Sequence, residues 1–165
     1  MNQLVLIAHN LRSCHNVGSL LRSADGLGVQ TVYLTGYTPY PAGGTNDPRL
    51  PHLAAKLNRQ ISKTALGAQA SINWQHHDDI FEVIKNLQQS AFTVAALEQA
   101  ENAVALETYQ PAPKLALIVG REIGGIEPAV LAASDIILAI AMLGSKQSFN
   151  VAVAAAMALY RLRFF

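Results

Sequence analysis

The 165-residue sequence predicts an α/β fold with a mainly parallel sheet flanked by helices, on three observations. Short β-rich apolar runs alternate with helical patterns along the chain, the arrangement that parallel sheets require. The composition is 51% hydrophobic and 14% charged, which suits a compact chain with much buried surface and not a disordered one. No repeat, low-complexity tract or linker interrupts the alternation, so residues 1–165 read as one domain with no separate nucleic-acid-binding domain.

Strands are expected at Leu4–Ala8, Thr31–Thr35, Ile72–His76, Phe92–Leu97, Leu115–Val119 and Ile136–Met142. The opening run, Met1 to Ala8, has no basic leader and is too short for a signal-peptide core, so it reads as the first buried strand. Helices are expected at Val17–Leu27, Pro51–Leu66, Asp79–Gln89, Glu127–Ala133 and Ser148–Arg163. In the first, Val17, Leu20, Leu21, Ala24 and Leu27 form one stripe for the sheet and Arg22 lies off it. Asn16 is placed at its N-cap and Gly28 just past its end. The stretch Gly36 to Pro51 holds four prolines and glycines 36, 43 and 44; a loop that long in a compact domain is expected to bind something. It feeds a helix with Lys56, Arg59 and Lys63 on one face and Leu53, Leu57 and Ile61 on the other. The last helix is apolar nearly all round, so it must be covered on every side; part of that cover is expected from a second subunit in a homodimer.

Several functional classes are excluded. A single cysteine, Cys14, rules out an intramolecular disulfide framework and any multi-cysteine metal site, and points to the cytoplasm. His76-His77-Asp78-Asp79 has the residue types of a metal site, but a strand end followed by an acidic helix start accounts for it, and no metal is expected. The longest apolar run, Val151 to Tyr160, is about half of a membrane span. Net charge is +1, yet residues 1–63 set six Lys/Arg against Asp25 and Asp47, while residues 64–114 set Lys85 and Lys114 against six acids. The basic third predicts a face for a polyanion, with Arg12, Arg22, Arg49, Lys56, Arg59 and Lys63 as candidate phosphate contacts.

Two strand-loop-helix junctions hold candidate chemistry. Leu117 to Pro128 runs from a strand through the glycine-rich turn Gly120-Arg121-Glu122-Ile123-Gly124-Gly125 into a helix. It is neither G-x-G-x-x-G nor a Walker loop, and the acidic, glycine-rich motif of Rossmann methyltransferases is absent. Ligands bind beyond the carboxyl ends of open parallel sheets, where this turn sits. The second junction, Ile136 to Val151, ends in Ser148 and Asn150; an Asn just inside a helix is disfavoured by propensity and signals a polar group kept for a site.

Taken together these segments resemble one family. Asn16-Val17-Gly18-Ser19-Leu20-Leu21-Arg22-Ser23-Ala24 is similar to the first motif, N-x-G-x-x-x-R-[ST]-A, of the SpoU/TrmH branch of the SPOUT methyltransferases. Gly120-Arg121-Glu122-Ile123-Gly124-Gly125-Ile126 resembles its second, and Ile140-Ala141-Met142 through Ser148-Phe149-Asn150 to Ala154 its third. Ala141 stands where the family usually has proline, and Ser13-Cys14-His15 departs from the commoner forms before Asn16. The resemblance implies a C-terminal deep trefoil knot, a homodimer with active sites across its interface, and transfer of a methyl group from S-adenosylmethionine to a ribose 2′-hydroxyl of tRNA or rRNA. It implies Asn16, Arg22, Glu122, Ser148 and Asn150 as catalytic, with Arg22 oriented by Asn16 and Glu122. It implies Leu97, Gly120, Ile140, Met142 and Ser148 as cofactor-binding. The alternatives it leaves are a base methyltransferase of the same knot and a non-catalytic RNA-binding protein.

Overall fold

The computed structural model describes residues 2–43 and 47–165; Gly44, one of the loop glycines, lies outside them. In chain order the described elements are β1 (Gln3–His9), α1 (Cys14–Gly26), β2 (Thr31–Thr35), α2 (Pro51–Ala65), α3 (Ala68–Ser71), β3 (Trp74–His77) and α4 (Ile80–Gln89). They continue with β4 (Thr93–Leu97), β5 (Val104–Ala105), β6 (Lys114–Val119), α5 (Pro128–Ala133), β7 (Ile136–Ala139) and α6 (Val151–Phe164). The strands form one sheet in the order β3-β2-β1-β6-β4-β7-β5, with every pairing parallel.

β1 and β6 lie at its centre in the register Leu4↔Leu115 to Ala8↔Val119. Side chains alternate across a sheet, and here both faces are covered. Leu4, Leu6 and Ala8 join Leu115, Leu117 and Val119 in the larger core, beneath α1 and α6. Val5 and Ile7 join Ala116 and Ile118 in the second core, beneath α4 and α5. Burial on both sides is why these strands read as unbroken apolar runs.

α1 carries its predicted stripe, with Val17, Leu20, Leu21 and Ala24 buried. Its N-cap is Ser13 and not Asn16: the Ser13 hydroxyl accepts from the Asn16 amide at 3.2 Å, one turn earlier than expected. Asn16 is thereby inside the helix, with its side chain free for other work. Gly28 follows the helix at φ 64°, where glycine carries no steric penalty. α2 packs on α1 at Gly18, whose missing Cβ would collide with Thr64 Oγ1 and the Ile61 carbonyl. The packed face of α2 is Ala54, Ile61 and Ala65. Leu53 is 44% exposed, against expectation, because small alanines bring the helix in at a different angle round its axis.

The last helix is also corrected. Asn150 is its N-cap, accepting from Ala152 N at 2.9 Å, and Ser148 precedes the helix. β7 stops at Ala139, short of the expected Met142. Ala155, Ala158, Leu159 and Leu162 are buried, whereas Val153, Met157, Tyr160 and Phe164, one helical stripe, are all more than 40% exposed. Arg163 clamps the C-terminal end by donating to the Leu27 and Gly28 carbonyls at 2.9 and 2.6 Å. The expected metal-like cluster resolves as read: Asp79 caps α4 by accepting from Phe81 N at 2.8 Å. The two-residue β5 and the single turn of α3 had no periodic signal to announce them.

Gly18→Ala is expected to lower stability by about 1–3 kcal/mol through overpacking of the α1–α2 contact, measured as a drop in urea midpoint at unchanged m-value.

Candidate functional site

A cleft of about 460 Å³ opens beyond the carboxyl ends of β4, β6 and β7. Leu97, Glu98 and Gln99 leave β4 to form one wall; the Gly120–Gly125 turn after β6 forms another; Ile140 and the segment 148–151 close it. The walls are tied together locally. Gln99 Nε2 donates to the Ile140 carbonyl at 2.7 Å, joining the loops after β4 and β7. Glu98 Oε2 accepts from Ile126 N at 2.8 Å, with its carboxylate pressed where a Cβ on Gly125 would stand. Gly120 is buried against Ile126, so its lack of a side chain serves packing inside the turn.

Three separated segments meet at the rim. Asn16 Nδ2 donates to Glu122 Oε1 at 2.9 Å, and Asn150 Nδ2 donates to Asn16 Oδ1 at 3.2 Å. The amides of Arg12 and Ser13 also donate to the Glu122 carboxylate, each at 3.2 Å. Burial pushes the Glu122 carboxyl up, but the bonds from Asn16, Arg12 and Ser13 outweigh it and hold the group below its ordinary value. Glu122 therefore stays ionised at neutral pH and pins the α1 entry to the glycine turn. The Asn150 amide works at both ends, its oxygen capping α6 and its nitrogen reaching Asn16.

The other predicted residues are placed unevenly. Leu97, Gly120, Ile140 and Ser148 line the cleft; Met142 does not. Ser148 has no protein hydrogen-bond partner among the described residues. Arg22 lies six residues beyond Asn16, roughly 240° round the helix, and is exposed. Among the described residues its guanidinium meets neither Asn16 nor Glu122, since that spacing turns it away from the rim. Lys56, Arg59 and Lys63 are exposed along α2, and Arg12 is exposed beside the rim. Arg49 is committed internally: it pairs with Asp47, donates to the Tyr40 and Pro41 carbonyls at 2.8 and 2.7 Å, and so braces its own loop. That pairing holds the Asp47 carboxyl well below the carboxylate range.

Sequence reasoning missed Glu98, Gln99 and Arg121 in the cleft wall, since only the fold brings the loop after β4 beside the glycine turn. It also missed a buried polar cluster behind that turn. His9, 6% exposed, lies with Nδ1 2.9 Å from Thr35 Oγ1 and Nε2 3.0 Å from Asn10 Nδ2. Asn10 also donates to Glu127 Oε1 at 3.0 Å, and Arg121 Nε sits 3.6 Å from that oxygen. Burial lowers the His9 pKa and outweighs the opposing charge of Glu127, so the imidazole is neutral at pH 7. Ala141 supplies the amide that a proline would lack; it donates to Glu107 Oε1 at 3.2 Å and holds its loop without the fixed φ. No group of three or more His, Cys, Asp or Glu among the described residues is arranged to hold a metal ion.

The chain is similar in sequence and in fold to known proteins. The model of the SpoU rRNA Methylase family matches residues 3–160. The chain is 29% identical over 157 residues to the tRNA (guanosine(18)-2′-O)-methyltransferase of Thermus thermophilus, covering 95% of this chain and 72% of that one. Its fold matches an AdoMet-bound rRNA methyltransferase from Sinorhizobium meliloti with TM-score 0.79 at 21% identity, covering 98% of this chain and 56% of that one. It also matches the TrmH/SpoU tRNA modifying enzyme of A. aeolicus with TM-score 0.78 at 21% identity, covering 99% and 75%.

Two outcomes are expected from the site's packing. Asn150→Ala should cost about 1 kcal/mol of stability through loss of the cap, whereas Asn150→Ser keeps a cap and should cost little; thermal unfolding of both variants distinguishes them. Since the folded state holds the His9 pKa below its ordinary value of about 6.5, the unfolded chain binds that proton first as pH falls. Stability should therefore be full above that value and decline as pH drops through and below it. A urea series from pH 7.5 to 5.5 should show a falling midpoint in the parent and a flatter profile in His9→Gln.

Proposed function

The chain belongs to the SpoU rRNA methylase family, and from that we propose that it uses S-adenosylmethionine to methylate a ribose 2′-hydroxyl of tRNA or rRNA. The observation that carries the reading is the Glu122–Asn16–Asn150 chain, which joins all three motif segments at the rim of one cleft.

The residues present fit the cofactor. The cleft has the size of a small-molecule site. Leu97 and Ile140 offer apolar walls, Gly120 lines the cleft with backbone alone, and Ser148 offers a hydroxyl with no partner among the described residues. The Glu98 and Glu122 carboxylates line the same space and favour a cationic sulfonium. Bound there, S-adenosylmethionine supplies an already activated methyl group, which leaves the protein to position the ribose and steady its oxygen. Arg22 is permanently charged, so it suits a phosphate and a developing alkoxide better than removal of a proton. Asn16 and Asn150 direct amide groups at the rim, where a ribose would sit; Glu122 holds them in place.

Arg22 points away from this rim in its own chain, so we read it as serving through the RNA or in the cleft of a second copy. The exposed stripe Val153, Met157, Tyr160 and Phe164 on α6 supports a homodimer, since an apolar stripe of that length calls for cover. The same family membership implies the trefoil knot. It is supported by the path of the chain after β7, sixth in the sheet order, back across β6 to α1, where Asn150 meets Asn16. We read residues 1–165 as one methyltransferase domain, with the exposed Arg12, Lys56, Arg59 and Lys63 as its candidate RNA contacts. No described helix is long and apolar enough to cross a membrane, and a role in RNA modification fits the cytoplasm.

The test is transfer of labelled methyl from S-adenosylmethionine to total cellular tRNA and rRNA, with nucleoside analysis. A labelled 2′-O-methyl nucleoside is the expected result; label on a base overturns the ribose assignment. Arg22→Ala is expected to lower turnover by about a hundredfold or more while leaving S-adenosylmethionine affinity unchanged by calorimetry. Unchanged turnover would remove Arg22 from the mechanism.

A further inference from the structure

A second cleft, of about 590 Å³, lies between the entry to α1, the loop after β2 and the middle of α2. It shares no residue with the first cleft. The two are nevertheless adjacent: Arg12 lines the second, while its backbone amide holds Glu122, which lines the first. The Arg12–Asn16 turn is thus a ridge between them, with the Asn16 amide on its crest.

One wall of this second cleft is rigid. The Tyr40 ring lies between the Arg49 guanidinium, 3.5 Å from its centroid, and the His76 ring, stacked at 4.0 Å and 27°. His76 Nε2 is 3.1 Å from the Gly36 carbonyl, and four of the five Arg49 donors are spent on Asp47, Tyr40 and Pro41. This sandwich therefore shapes the cleft but offers it little new bonding. Gly36, at φ 65°, turns the chain where a Cβ would strike Asn10, and the next amide, of Tyr37, is fixed by Asn10 Oδ1 at 3.2 Å. The turn leaves Tyr37 51% exposed, although it lines a cleft.

Three side chains remain without protein partners among the described residues: the Tyr37 ring, the Arg12 guanidinium and the Gln60 amide. An open aromatic face, a fixed cation and a group that both donates and accepts are what recognition of an unstacked nucleobase requires. Asp47, the carboxylate carried by this loop, is paired with Arg49.

We propose that this cleft takes a base of the substrate RNA, stacked on Tyr37 and read along its edge by Gln60 and Arg12, while its ribose crosses the ridge towards Asn16. Residues 36–40, at the start of the loop after β2, are then a specificity element of the enzyme. The inference rests on the RNA methyltransferase reading above, and the experiment keeps the two apart.

The protein is irradiated with ultraviolet light in the presence of total tRNA and rRNA, digested with trypsin, and the RNA adducts are mapped. Methyl transfer to the same RNA is measured for the parent, Tyr37→Ala, Tyr37→Phe and Gln60→Ala. The expected adduct is on the peptide Ser23–Arg49, at Tyr37. Tyr37→Ala should lower kcat/KM for RNA by about tenfold to a hundredfold, the worth of one stacked base. Tyr37→Phe should restore it, and S-adenosylmethionine affinity should not move in any variant. Tyr37 is exposed, so its removal leaves the core intact. Parent activity with equal rates in Tyr37→Ala and no adduct on that peptide overturns the base site and spares the proposed function. No methyl transfer by the parent overturns the proposed function. In that case an adduct at Tyr37 still supports a base site, and its absence ends the inference.

Discussion

Everything functional in this protein depends on the parallel pairing of β1 with β6 at the centre of the sheet. Parallel strands all point the same way, so every loop that follows one emerges at the same edge. Because both faces of these strands are buried, the chain has only its carboxyl edge for polar chemistry. The Arg12–Asn16 entry, the Gly120–Gly125 turn, the Glu98–Gln99 loop and the segment 140–150 are thereby brought to one place from four parts of the sequence. The same edge, one strand further out, carries the loop that shapes the second cleft.

What holds these loops in mutual register is a set of small polar bonds and not further apolar burial. Each exposed bond in the Glu122–Asn16–Asn150 chain contributes about 0.5–1.5 kcal/mol at most. Their value is geometric: the same amide and carboxylate groups that would contact a ribose are already fixed in direction. Behind them, His9, Asn10 and Glu127 tie the ends of β1 and β2 to the start of α5, anchoring the glycine turn from its buried side. Ala141 shows how a departure is absorbed, with its amide bonded to Glu107 where a proline would rely on its ring.

Arg22 separates what one chain accomplishes from what it leaves open. α1 is the element on which Asn16 faces the rim and Arg22 faces solvent, a consequence of their six-residue spacing on a helix. The same chain leaves an apolar stripe on α6, the helix that packs on α1. A polar residue without a partner and an apolar face without cover lie on neighbouring helices, and a second subunit would answer both.

The sequence by itself determined every strand but β5 and the long helices from local pattern, and the residues of the polar rim from motif resemblance. Alternation and apolar stripes mark β1, β6 and α1; residue type marks Asn150 as out of place inside a helix, whereas Asn16 and Glu122 stand out by their resemblance to the family motifs. It placed Asn16 at a cap and Asn150 inside a helix, the reverse of what is found, because a one-turn shift at a helix start leaves the periodicity unchanged. Only the tertiary structure decided that Glu98 and Gln99 share a wall with Gly120 and that Arg49 braces its own loop. Those facts depend on strand order and on the direction of side chains in space, and neither is written in the spacing of residues along one chain.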